Sequence, residues 1–266
     1  MKVRPAHTAI SILGLLTLFS IGYWFIHEKD DGYRPLMPIV KTHQPYAPRA
    51  VRLEEKTEYA SISGTYPQFE QAPISFNNEI RDVVKNAIEE HKKLSEENWK
   101  AMHETDTSTR STPAEQDLFP FSVSFEAPLS TKDDISVALF ISQYSGGAHG
   151  SSSIRTFTYN IPQKRNVSLS DVFKGYPEYL KKLSIESRKQ LTERFSDIGD
   201  GSETTLDFLE EGTEPKDELF SLFTLSPQKD MLTIYFGLYQ VAPYVYGEQH
   251  IVVPLPKGND VPEWLQ

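Results

Sequence analysis

Residues 135–150, ISVALFISQYSGGAHG, decide the fold. Ile135, Val137, Leu139 and Ile141 fall on alternate positions, so a strand over Ile135 to Ser142 turns them all to one face. The run then breaks into Gly146-Gly147-Ala148-His149-Gly150, where three glycines in five residues permit positive φ and a bare backbone. Alternation resumes at once, with Ile154, Thr156 and Thr158 opposite Arg155, Phe157 and Tyr159. Upstream, Phe119, Phe121, Val123 and Phe125 alternate in the same way. Three strands in close succession predict consecutive antiparallel neighbours.

Outward from this sheet, the pattern changes. Tyr59 to Phe69 reads as a further strand. Ile80, Val83, Val84, Ala87, His91, Leu94 and Asn98 recur at helical spacing after Asn77 or Asn78, predicting a helix of about six turns with one buried face. His91 is expected there as a packing residue. Glu104 to Gln116 is polar and rich in Ser and Thr, a loop. Ser168 or Ser170 can cap a short turn, and Pro177 suits the first residue of a helix with Leu180, Leu183, Ser187 and Leu191 on one face. Leu206 to Glu211 reads as a short helix stopped by Gly212. Leu219 to Leu225 and Met231 to Leu238 form a hairpin about Ser226 to Asp230, and Ile251 to Leu255 closes the domain. The sum is an α+β fold, an antiparallel sheet with helices packed on one face.

The N-terminus is of another kind. From Thr8 the chain reads almost wholly apolar to Ile26, with no Asp, Glu, Lys or Arg from Ala6 onward. About 19 residues at ~1.5 Å each span ~28 Å, close to the hydrocarbon thickness. Tyr23 and Trp24 stand at the far interface, and Lys2 and Arg4 at the near one place the N-terminus in the cytoplasm. The exit YWFIHEKDD lacks the small residues that cleavage favours, so an uncleaved anchor is expected ahead of its rival, a cleaved secretory peptide, and either one exports the rest of the chain. The expected organisation is a cytoplasmic 1–7, a signal-anchor helix over 8–27, a Pro-rich linker over 28–54, an extracytoplasmic domain over 55–258 and a tail over 259–266. That domain would face the periplasm or the exterior.

Composition removes several functions. There are no cysteines, hence no disulfide, thiol nucleophile or Cys-ligated metal. The chain carries 27 Lys+Arg against 37 Asp+Glu, net −10, and setting aside Lys2 and Arg4 leaves −12 for the exported part. An acidic surface argues against nucleic-acid binding and suits a cationic partner.

Two segments have the residue types for a site. In the first, Tyr144, Gly146, Gly147, His149 and Gly150 combine an aromatic ring, exposed backbone and an imidazole. It is no phosphate loop, because no Lys-Ser/Thr follows and a strand comes next. The turn can equally be structural. In the second, Tyr239, Gln240, Pro243 and Tyr244 offer aromatic faces and an amide, which suit a sugar or peptide surface by stacking and hydrogen bonding. A rigid loop covering the sheet edge would read the same. As a catalytic alternative, His149 could act as acid or base with Asp171, although no serine-hydrolase elbow accompanies them. His149 and His250 lie too far apart in sequence to form a local metal motif, and no metal or cofactor is expected.

In order, the helix after YPQF, ISVALFISQYSGGAHG, FTYN, LSDVF, the LTIYF strand running into YQVAPYVYG, and the VPL strand resemble a bacterial extracytoplasmic family. It forms the ectodomain of lysozyme-responsive RsiV-type anti-sigma factors and the non-catalytic N-terminal part of certain peptidoglycan deacetylases. The resemblance runs from about Tyr59 to Leu255. It implies an α+β fold, an envelope location, and a lysozyme-like protein or peptidoglycan as partner. The short stretch before the membrane helix leaves no room for a sigma-binding domain, so the expectation is a stand-alone binding or sensing domain. The alternative is a wall-modifying hydrolase using His149.

Overall fold

In the computed structural model, residues 46–103, 113–114, 117–258 and 260–266 are described. The expected cytoplasmic segment, the membrane helix and most of the linker and of the 104–116 loop lie outside them. No helix among the described residues is long and apolar enough to cross a membrane.

Six strands form the first sheet, in spatial order β1 to β6. They are β1 (Arg49–Lys56), β2 (Ala60–Gln68), β3 (Phe119–Ser130), β4 (Asp134–Gln143), β5 (Ser151–Asn160) and β6 (Arg165–Asn166). β3, β4 and β5 pair antiparallel as neighbours, as expected. Two expectations are corrected. The linker over 28–54 ends at Arg49, where β1 pairs antiparallel with β2 along its whole length. The sheet is also mixed, because β2 and β3 run parallel. The reason lies in the connection: α1 (Ile74–His103) carries the chain back along the sheet, and only such a crossover allows a parallel pair. At their tightest point Gly64 faces Val123. A Cβ there would lie 1.9 Å from the Val123 carbonyl oxygen, and φ is +120°. Only glycine fits.

α1 begins at Ile74, just after Pro73 and ahead of the expected start. Asn77 is not its cap. Its side chain accepts from the Phe69 N–H and donates to the Phe69 carbonyl, tying the helix to the end of β2 (both 2.8 Å). The buried face is Phe76, Ile80, Val84, Ile88, His91, Ser95 and Trp99. Most of it packs on Ile62, Phe121, Val123, Val137, Leu139 and Phe157, and each fully buried side chain of this size contributes about 1.5–3 kcal/mol.

β4 is buried on both faces. Against its second face lies another sheet, β7 (Phe223–Leu225), β8 (Met231–Phe236) and β9 (Gln249–Pro254), all antiparallel. The predicted arrangement with helices on one face of one sheet is therefore corrected to two sheets, each with its own helices. α2 (Leu169–Val172) is capped by Ser168. α3 (Tyr179–Asp197) and α4 (Glu203–Gly212) cover the second sheet, with Leu183, Leu191 and Phe195 meeting Ile234, Phe236, Ile251 and Val253. The contact between sheets includes polar bonds. The outer edge of β7 donates from the N–H of Phe223 to Thr156 Oγ1 (3.1 Å) and from that of Leu225 to Ser136 Oγ (3.0 Å). An exposed strand edge is thus satisfied by hydroxyls on the face of the neighbouring sheet. Lys229 and Asp134 form an ion pair across the same contact. The C-terminal tail is also tied down: Leu265 is buried and Trp264 Nε1 donates to the Pro254 carbonyl (2.8 Å).

Candidate functional site

The β4–β5 loop is positioned from α1. Asn98 Nδ2 donates to the Ser145 carbonyl at 2.7 Å. Within the loop, Tyr144 Oη donates to the Gly147 carbonyl at 3.0 Å, while the Tyr144 ring stands edge-on to Phe119 at 5.8 Å. Gly146 and Gly147 take φ of +100° and +101°, which explains two consecutive glycines. A Cβ at Gly146 would crowd Met102 Cε at 3.3 Å. One at Gly147 would meet nothing within 4 Å, so that stretch of backbone is open.

The β8–β9 loop is positioned by Gln240. Its Oε1 accepts from the Gly237 N–H (3.1 Å), and its Nε2 donates to the carbonyls of Gly212 (3.1 Å) and Leu219 (2.9 Å). The ligand-binding role expected of Gln240 is corrected on this ground, since its amide is spent on scaffolding. The approach is close: a Cβ on Gly212 would lie 1.8 Å from the Gln240 carbonyl oxygen. The preceding Tyr239 is held at φ +62° and is 50% exposed. A non-glycine residue in this region costs about 1–3 kcal/mol, and such strain concentrates at functional sites. Pro243 leads into a short 3-10 turn, Tyr244–Tyr246, that leaves Val245 79% exposed.

The two loops, nearly a hundred residues apart in sequence, meet. Tyr244 Oη donates to the Gly150 carbonyl at 3.0 Å. The His149 ring stacks on Tyr244 with centroids 4.1 Å apart, and Tyr239 lies 5.7 Å from Tyr244. His149 Nδ1 is 2.9 Å from the Gly150 carbonyl, which can only accept, so Nδ1 carries the proton and Nε2 is left as an acceptor. Tyr144, Gly146, Gly147, His149, Gly150, Tyr239, Pro243 and Tyr244 therefore belong to one region.

Asp171 does not join it. It sits on the chain that turns back from the far end of β5, beside Arg165, which pairs with Asn160, roughly 20–30 Å of strand from His149. There it accepts both guanidinium nitrogens of Arg165 (2.7 and 2.9 Å) and closes the capping box with Ser168. These bonds hold its carboxyl well below the usual carboxylate range. The pairing of His149 with Asp171 is corrected accordingly. Among the described residues no group of three or more His, Asp or Glu is placed to hold a metal.

Beside the loops lies a set of partly buried ionisable groups not foreseen from sequence. Burial raises the Glu248 carboxyl, and its Oε1 has no hydrogen-bond partner. His250 is pushed down to about 4 by burial and then by the Arg194 charge. Burial, with the Glu126 charge added, takes Tyr235 up to about 12. Tyr235 and His250 lie within strands and Glu248 just ahead of β9, and nothing local in the sequence signals their depth.

Two domain models match the chain in tandem. Residues 53–152 match Deacetylase PdaC, and residues 170–255 match the protein of unknown function DUF3298. The first match ends at the β4–β5 loop and the second includes the whole β8–β9 loop, so the site is built from both. The chain is 25% identical over 263 residues, 98% of its length, to a Bacillus subtilis (strain 168) protein named peptidoglycan-N-acetylmuramic acid deacetylase PdaC. It spans half the length of that relative. A crystal structure of a DUF3298 family member from Bacteroides fragilis NCTC 9343 aligns with TM-score 0.55 and 18% identity, over 79% of this chain and 91% of that one. These matches support the mixed α+β fold and the broad family expected from the sequence. They do not single out the anti-sigma-factor type within it.

Proposed function

We propose that the chain is a membrane-anchored, extracytoplasmic binding domain of the bacterial envelope, and that its ligand is peptidoglycan. The observation that carries this reading is the two-loop face. Tyr239, His149 and Tyr244 present aromatic surface around open glycine backbone, and Gln240 fixes the strained Tyr239 outward. Stacking rings with a few polar groups are what a sugar ring requires. The relative named as a peptidoglycan deacetylase supports the choice of ligand. The apolar run over 8–27 supports the anchor. Catalysis by His149 lacks support, because Asp171 is engaged elsewhere.

A second reading, a lysozyme-like protein as ligand and an RsiV-type sensing role, is favoured by the net charge of −10, which would speed encounter with a basic partner. One experiment separates the two: binding of the purified chain to intact peptidoglycan and to a basic lysozyme, at low and physiological salt. Retention on peptidoglycan that is lost in Tyr244→Ala supports the first reading. Saturable, salt-weakened binding to lysozyme with no affinity for the wall replaces it with the second. Binding to neither sinks both.

A further inference from the structure

The end of α1 repeats the geometry of the His149–Tyr244 stack. His103 lies over Trp99 with centroids 3.9 Å apart and planes 23° from parallel, against 4.1 Å and 29° at His149 and Tyr244. Each imidazole directs Nδ1 at a backbone carbonyl 2.9 Å away, that of Trp99 in one case and of Gly150 in the other. A carbonyl only accepts, so both rings carry the proton on Nδ1 and present Nε2 as an acceptor. The two stacks are linked through the glycine turn. Met102, 51% exposed, reaches to 3.3 Å of where a Gly146 Cβ would be, and Trp99, Phe119 and Tyr144 follow one another at 6.4 and 5.8 Å. Between the stacks, Gly147 leaves bare backbone with open space beside it.

We propose that the site is an extended glycan track with a primary subsite at His149–Tyr244 and an auxiliary one at His103–Trp99, bridged over Gly146 and Gly147. Its ligand is a strand of linked N-acetylated amino sugars at least long enough to occupy both. This rests on the peptidoglycan reading above. In each subsite the apolar face of a sugar packs on the imidazole side of the stack, since Trp99 is itself buried, and Nε2 of the neutral ring accepts from a hydroxyl or an acetamido N–H. None of Met102, His103, Tyr144, His149, Tyr239 or Tyr244 is a carboxylate, although the chain as a whole has 37 acidic residues.

Two linked subsites make affinity depend on ligand length, because the second contact forms at high effective concentration. The test uses the full-length chain and peptide-free peptidoglycan glycan strands sorted by length. Affinity is expected to rise about tenfold or more between the shortest strands and those that span both stacks. Met102→Ala and His103→Ala should remove that rise, with short strands still bound at His149–Tyr244. Tyr244→Ala should weaken binding at every length. Met102 is exposed, so its variant keeps the fold. Equal affinity at all lengths, or a length dependence that survives both α1 variants, overturns the track and leaves the peptidoglycan reading standing. No binding at any length overturns that reading as well.

Discussion

Gln240 is the residue on which the site geometry depends. It spans three backbone groups in separate segments, the N–H of Gly237 and the carbonyls of Gly212 and Leu219. Truncation leaves those groups without their partner, and each buried orphan costs about 1–3 kcal/mol. Gln240→Ala is expected to lower stability by about 2 kcal/mol or more, read from the urea midpoint. It should also release Tyr239 from φ +62° and reduce wall binding. Glu is a sharper probe, since it keeps the acceptor for Gly237 but loses the donor for the two carbonyls. An unchanged midpoint in the alanine variant would show that the loop is held by other means.

At the scale of elements, the docking of α1 on β3 contains a titratable group. His91 is fully buried, its Nε2 donates to the Phe119 carbonyl at 3.1 Å, and its Nδ1 has no partner. Burial lowers its pKa from the ordinary 6.5. A histidine shifted down contributes stability that is complete above 6.5 and lost as pH falls through its folded value. His250, at about 4, acts with the same sign. Glu126 and Glu248, both raised by burial, act oppositely: their contribution is present below 4.5 and lost as pH rises. His91→Gln keeps a donor for Phe119 and cannot charge, so its urea midpoint should fall less than that of the parent between pH 7 and 5. Glu248→Gln should raise the midpoint at pH 7 and lose that advantage near pH 4. Parallel pH profiles for parent and variant would reject either assignment. The same elements show what the sequence could express. The alternation of Phe119 to Phe125 and Ile135 to Ile141 states face and strand directly, and those strands are where they were expected. β1 was hidden because RAVRLEEK offers only Val51 and Leu53 to the sheet and carries charge elsewhere, as edge strands do. The docking of the β7 edge on Ser136 and Thr156 was not legible, because nothing local tells a hydroxyl that a strand edge will dock on it. The glycine loop was legible from its composition. The role of Gln240 was not, since the two carbonyls its amide donates to lie 28 and 21 residues away.

For the whole molecule, the two domain matches divide the chain at β5, but the physical boundary does not follow them. β4 is buried on both faces, one covered by α1 and the other by the second sheet. Removing the second sheet would expose Phe140, which meets Tyr235 edge-on at 5.9 Å, and would take from Thr156 and Ser136 the β7 N–H groups that their hydroxyls accept. Residues 43–266 accordingly form one compact unit. Cooperative unfolding of both sheets together is the expected behaviour. Two tryptophans report it from opposite sides: Trp99 lies on α1 beside the first sheet, and Trp264 packs on Phe173 beside the second. In a Trp24→Phe background, Trp99→Phe leaves only the second reporter and Trp264→Phe only the first. Urea transitions followed by fluorescence in these two variants, each compared with the far-UV circular dichroism of the same variant, should coincide within each sample. If the Trp264 signal is lost at lower urea than the helical signal of its own variant, the second sheet unfolds separately. The glycine loop and the Tyr244 loop would then come from units able to part, and a ligand seated on both would stabilise the less stable half most.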